Sequence, residues 1–158
     1  MKLNIEVLKR QRKIKISTKR VIYTIKKVEK TLLSIKNKKF LNIIKNYSSL
    51  SVSIVFVSKK KMKELNFKYR KKNSTTDVLS FPYLEPELPD NLYLGEILID
   101  PERVYCQSKL YGITFWQELA RVLIHGFLHL IGYDHEKSVN QAKKMSKLEE
   151  KILSNLQS

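Results

Sequence analysis

The chain has 158 residues, 42% of them apolar, which suits one compact domain over residues 1–158, and its longest apolar run, Val122 to Ile131, is too short to cross a bilayer. Lys and Arg number 31 against 15 Asp and Glu, with 23 against 3 in residues 1–72 and 8 against 12 in residues 73–158; this suggests a polyanion-facing first half, although Lys outnumbers Arg 25 to 6 and a Lys-rich surface is equally a solvated one. The single cysteine, Cys106, excludes an intrachain disulfide and a Cys-based zinc cluster and fits a reducing cytosol, and the opening MKLNIEVLKRQRK lacks the apolar stretch of a secretory leader, so the expected location is cytoplasmic, with no membrane partner.

Along the chain, Leu3 to Leu8 alternates apolar and polar residues and predicts a strand. Thr18 to Ile35 places Val21, Ile22, Ile25, Val28, Leu32 and Ile35 at helical spacing with a Lys-rich opposite face. Ser51 to Val57 is β-branched and alternating, a strand, and Ser58 can N-cap a helix running to about Tyr69. Asp77 to Phe81 and Tyr93 to Ile99 read as two more strands, separated by an irregular acidic loop marked by Pro82, Pro86 and Pro89.

The remainder is helical. Asp100 and Pro101 open one helix, which Gly112 closes. Thr114 and Gln117 form a capping box for the next, with Gly132 as its left-handed terminator. Ser138 and Gln141 form a second capping box before a final helix. The order predicts an α/β (α+β) fold: a small mixed sheet of about four strands packed with helices.

All three histidines lie in one window. His125 and His129, four apart on a helix, share a face; Gly132 ends that helix and lets His135 return from the loop. Three imidazoles converging in this way suit zinc, one ion per chain, in preference to nickel, copper or iron. Structural zinc sites are closed by four protein ligands, whereas three leave a position for water, which would ionise near pH 7. Three imidazoles buried as plain core residues would each leave polar atoms unsatisfied, at about 1–3 kcal/mol apiece. The spacing also matches the ligand frame of metzincin peptidases, but those need Glu directly after the first His, and Gly126 stands there.

The run HGFLHLIGYDHE at 125–136 resembles the signature H-G-x-L-H-L-x-G-Y-D-H of the YbeY endoribonucleases, ribosomal RNA maturation factors. LNFKYRKKNSTTDVLSFP at 65–82 is similar to that family's L-N-x-x-Y-R-x-x-x-x-P-T-D-V-L-S-F-P, with Thr75 where the family usually has Pro, and Leu94-Gly95-Glu96-Ile97 and Glu118-Leu119 also fit. The match spans roughly residues 51–136 in order and spacing. The resemblance implies a zincin-like fold and a metal-dependent, single-strand-specific endoribonuclease. Its implied role is 3′-end maturation of small-subunit ribosomal RNA and ribosome quality control, with RNA and the small subunit as partners. It implies His125, His129 and His135 as metal ligands and Arg70 as the basic residue needed for cleavage, a role that suits the planar donor fork of Arg on a phosphate. Asp134 and Glu136 could orient a ligand or take a proton, and Asp134 could equally cap a turn; Glu118 and Arg121 could pair with each other or join the metal shell. Two other functions fit the same residues: a metal-dependent peptidase or amidohydrolase with its base elsewhere, and a non-catalytic ribosome assembly factor with a structural metal.

Overall fold

The computed structural model describes residues 1–157. Strands β1 (Lys2–Arg10), β2 (Ser49–Val57), β3 (Val78–Leu88) and β4 (Asn91–Ile99) form one sheet in the order β1-β2-β4-β3, with β1 and β4 parallel to β2 and β3 antiparallel to β4. The helices are α1 (Thr18–Ser34), α2 (Lys38–Ile44), α3 (Lys59–Arg70), α4 (Pro101–Tyr111), α5 (Phe115–Leu130) and α6 (Val139–Gln157). The mixed four-stranded sheet expected from the sequence is present. Among the described residues no helix is long and apolar enough to cross a membrane.

Alternation along β2 divides the core. Leu50, Val52, Ile54 and Phe56 face the large cluster built with α1, α5 and α6, while Val55 and Val57 face a smaller one with Met62 of α3, Leu79 and Leu98. In β4 the same parity is broken once: Ser51 pairs Tyr93 but Val52 pairs Gly95, a bulge that lets Leu92, Leu94, Ile97 and Ile99 all serve the large cluster. Gly95 has φ 139°, and a Cβ on it would meet the Phe81 carbonyl oxygen at 2.1 Å, so the bulge demands glycine.

Two expectations need correction. The stretch containing Pro82, Pro86 and Pro89 is mostly strand, since β3 continues to Leu88 and Pro82 and Pro86 pair with Gly95 and Leu92. The prolines are tolerated because β3 is an edge strand and its register shifts twice, between Pro82 and Glu85 and between Pro86 and Leu88. The second is α2, which the sequence reading omitted; Asn37 caps it by accepting from the Phe40 N–H, and Phe40 and Ile44 are buried.

The helix that carries two of the histidines is the best specified. The Thr114 and Gln117 capping box is formed in both directions. At the other end the Gly132 N–H donates to the His129 carbonyl and the Tyr133 N–H to that of Leu128, the bond pair of a Schellman motif, with Gly132 at φ 105°. For α6 the Ser138 hydroxyl accepts from the Gln141 N–H, the forward half of the predicted capping box.

Candidate metal centre

Helix α5 lies on the sheet by its glycine. A Cβ at Gly126 would stand 2.7 Å from the Ile97 Cγ2 and 3.3 Å from the Ser80 Oγ, and the Ser80 hydroxyl donates to the Gly126 carbonyl at 3.1 Å. The position that would carry a metzincin-type Glu therefore points into the sheet, and no side chain fits there without displacing buried atoms. The same contact sets β3 beside the histidine helix.

His125 and His129 present Nε2 atoms 3.0 Å apart, and the centroids of the His135 ring and each of theirs are separated by 5.2 Å. One ligand nitrogen from each of the three can be chosen so that all lie within 4.8 Å of one another. Nitrogens bound tetrahedrally at ~2.0–2.1 Å from one ion stand about 3.3 Å apart, so the separation of the first pair suits a shared cation. The Schellman turn brings His135 back, and Tyr133 within it is anchored by the Asn37 amide, which donates to its hydroxyl at 2.8 Å. Asp134 caps this turn by accepting from the Glu136 N–H, the simpler of the two roles considered for it.

Burial first, and then the neighbouring His125 and His135 rings, together hold the His129 pKa down to about 4. At neutral pH its nitrogen lone pair is free, which is the state a metal requires. His125 is oriented from α6: its Nδ1 lies 3.0 Å from the Glu149 Oε2. That contact fixes the proton on Nδ1 and turns the Nε2 lone pair toward His129. Donor type, convergence and protonation state all fit a borderline divalent ion such as zinc.

Beside His125 is a cavity of about 220 Å³ whose lining includes Asp77, Gln107, Tyr111, Glu118, Arg121 and Glu149. Glu118 is 4% exposed, and burial raises its pKa, opposed by Arg121 and aided by Asp77. The Arg121 Nε stands 3.3 Å from the Glu118 Oε1, an ion pair without hydrogen-bond geometry. With its amide nitrogen turned toward the acids, Gln107 donates to the Glu118 Oε2 at 2.9 Å and to the Asp77 Oδ2 at 3.3 Å. Glu118 and Arg121 thus pair with each other at the edge of the site, one of the alternatives drawn from their spacing.

The structure brings the three histidines together. Arg70 is the last residue of α3, exposed and, among the described residues, without an ion-pair partner. Glu149, Asp77 and Gln107 were missed from the sequence. For Glu149 a signal existed: it falls in register with buried Met145 and Ile152, a carboxylate in the apolar stripe of α6.

The family model for Endoribonuclease YbeY matches residues 6–157. An Endoribonuclease YbeY of Thermodesulfovibrio yellowstonii is 57% identical over 157 residues, covering 99% of each chain. One from Buchnera aphidicola subsp. Baizongia pistaciae is 36% identical over 143 residues, 90% of each. Among solved structures, that of TM1509 from Thermotoga maritima superimposes with a TM-score of 0.57 at 30% identity, covering 96% of this chain and 87% of that one.

Proposed function

The chain belongs to the YbeY endoribonuclease family, and from that premise we propose that residues 1–158 act as one zinc-dependent, single-strand-specific endoribonuclease in the cytoplasm, trimming the 3′ end of small-subunit ribosomal RNA and serving ribosome quality control. The observation that carries the metal-dependent reading is the convergence of His125, His129 and His135 with no fourth protein ligand in the cluster among the described residues. Those three residues would hold the ion. When bound, zinc supplies Lewis acidity toward a phosphate oxygen and toward the attacking group.

The rest of the chemistry falls to the chain. Glu149 keeps the proton of His125 on Nδ1. Arg70, unpaired and at the end of a helix that leads by a short loop into β3, supplies a planar cation for the charge that grows on the phosphate in the transition state. Exposed lysines in the basic first half hold the RNA backbone, so binding weakens steeply with salt. Single strands suit the site because their phosphates and bases can be presented one at a time.

The peptidase reading has lost its simplest form, since Gly126 faces Ile97 and Ser80. The test is one assay: metal content, then cleavage of single-stranded ribosomal RNA, for wild type, His129→Ala and Arg70→Ala. We expect one zinc per wild-type chain and none in His129→Ala, no cleavage by His129→Ala, and cleavage by Arg70→Ala slowed about 10²–10³-fold. RNA cleavage by metal-free His129→Ala protein would reject the reading. Intact RNA with a folded, zinc-loaded wild type would favour the assembly factor.

A further inference from the structure

One large feature plays no part in the metal centre. A groove of about 720 Å³ runs between α1, the start of α5 and the end of α6. Its apolar surface includes Ile113, Trp116, Leu153 and Leu156, and its cations are Lys19, Arg20 and Arg121; among the described residues no Asp or Glu lines it. The volume is that of a small-ligand site. The Arg20 guanidinium lies over the Trp116 ring, 4.7 Å from its centroid, so a flat cationic and aromatic stack is already assembled on the wall.

Arg121 also lines the small cavity that contains His125, so the groove and the metal centre meet at this side chain. Glu118 holds Arg121 from the cavity side at 3.3 Å, while its side chain remains 58% exposed toward solvent. Along α5, Trp116 precedes His125 by nine residues, a rise of about 13.5 Å and about half a turn around the axis, so a strand joining them passes around the helix by way of Arg121.

Resting on the endoribonuclease reading above, we propose that this groove is a nucleotide subsite: a base of the single-stranded RNA enters against Trp116 and Arg20, and Lys19 and Arg121 take the phosphates that lead to the histidines. Charge selects the occupant. Three cations, of which among the described residues only Arg121 has an acidic partner, fit a polyanion, and the aromatic wall fits a base, whose flat face stacks whatever its sequence. The subsite would therefore add affinity and set the path of the strand without reading sequence.

Trp116 is the only tryptophan in the chain, so a single indole in the wall of this groove supplies the tryptophan fluorescence. The experiment uses the full chain with chelator present, which keeps RNA intact. The probe is a labelled uridine oligonucleotide of about ten residues, followed both by Trp emission and by anisotropy of the label. Emission should quench saturably in step with the anisotropy rise. Trp116→Ala should weaken binding about 5- to 150-fold, the range for loss of one stacked base. Arg20→Gln, an exposed change that spares the fold, should weaken binding and lower the salt slope by about one. An oligonucleotide with abasic sugars should bind weakly and leave the emission unchanged.

RNA that binds with unaltered Trp emission, and at wild-type affinity to both variants, overturns the subsite while leaving the endoribonuclease reading intact. Quenching by an acidic peptide but not by RNA overturns it in favour of a protein partner. Failure of the wild type both to bind RNA and, with zinc, to cut it overturns the two together. If Trp116→Ala does not fold, Arg20→Gln and the abasic probe decide.

Discussion

Glu149 of α6 and His125 of α5 meet at 3.0 Å across 24 residues of sequence, carboxylate oxygen to ring Nδ1. The contact does for the candidate metal centre what neither helix does alone, because a neutral imidazole can place its proton on either nitrogen and only one tautomer offers Nε2 to a metal. Glu149→Ala should lower zinc affinity about 10- to 100-fold, the usual effect of removing a carboxylate behind a ligand histidine. Glu149→Gln, which still accepts from Nδ1–H but carries no charge, should lose less. Competition with a chelating dye measures both; equal affinities for wild type and Ala would remove Glu149 from the site.

Arg70 gives a different signature, because it is exposed and, among the described residues, has no ion-pair partner. Arg70→Ala should keep its zinc and its fold, losing at most the few tenths of a kcal/mol that a cation adds to a helix C-terminus. Its cleavage rate should fall about 10²–10³-fold, as when one donor to transition-state charge is removed. Lys at this position restores charge but not the planar fork and should recover only part of the rate. Single-turnover cleavage beside elemental analysis separates these effects, and full activity in Arg70→Ala would dismiss the assigned role.

The contact between Gly126 and Ile97 predicts a stability effect whose sign is not obvious. Ala is favoured over Gly inside a helix by about 1 kcal/mol. Against that, the new methyl would sit 2.7 Å from the Cγ2 of Ile97, which is fully buried and β-branched and has little freedom to turn. Overpacking of this kind costs about 1–3 kcal/mol, so the net change for Gly126→Ala should be a loss of up to about 2 kcal/mol. Urea unfolding of the metal-free protein reads it; a gain in stability would mean that α5 can move away from β4 without penalty.

How far the sequence announced all this depends on whether a feature is local. The helix with the capping box and the terminating glycine was legible because its signals lie within a turn of its ends, and the same applies to the histidine spacing. The inner halves of β3 and β4 were legible as strands, but their continuation through the prolines was not, since three prolines read as a loop until the edge position of β3 is known. α2 is a seven-residue helix whose only local mark is the Asn37 cap, and Phe40 meets Phe127, far along the chain, in a tilted ring contact. Glu149 and Gln107 reach the site by tertiary packing, which no short motif encodes. The pairing of Arg121 with Glu118 was legible from their i, i+3 spacing, but not that Arg121 also opens onto a second groove.

The last prediction concerns acid. In the metal-free protein the His129 pKa is pushed from 6.5 to about 4, first by burial and then by the two neighbouring rings. The unfolded chain therefore takes up a proton at this residue through the window from about pH 6.5 to about pH 4, and the folded chain does not. Stability must fall as pH drops through that window and level off below it. Glu118 acts in the opposite sense: burial raises its pKa above the ordinary 4.5, so neutralising it on acidification relieves the fold. Because the two terms oppose, the wild-type profile by itself is ambiguous, and the difference between wild type and His129→Gln isolates the histidine. That difference should grow with pH between about 4 and 6.5 with a slope of at most about 1.4 kcal/mol per unit, reduced by the partial exposure of the ring. Urea midpoints across this range, with chelator throughout, provide the curve. A difference that is flat with pH would mean that His129 takes a proton in the folded protein as readily as in the unfolded one, and that the nitrogen is not held ready for a metal.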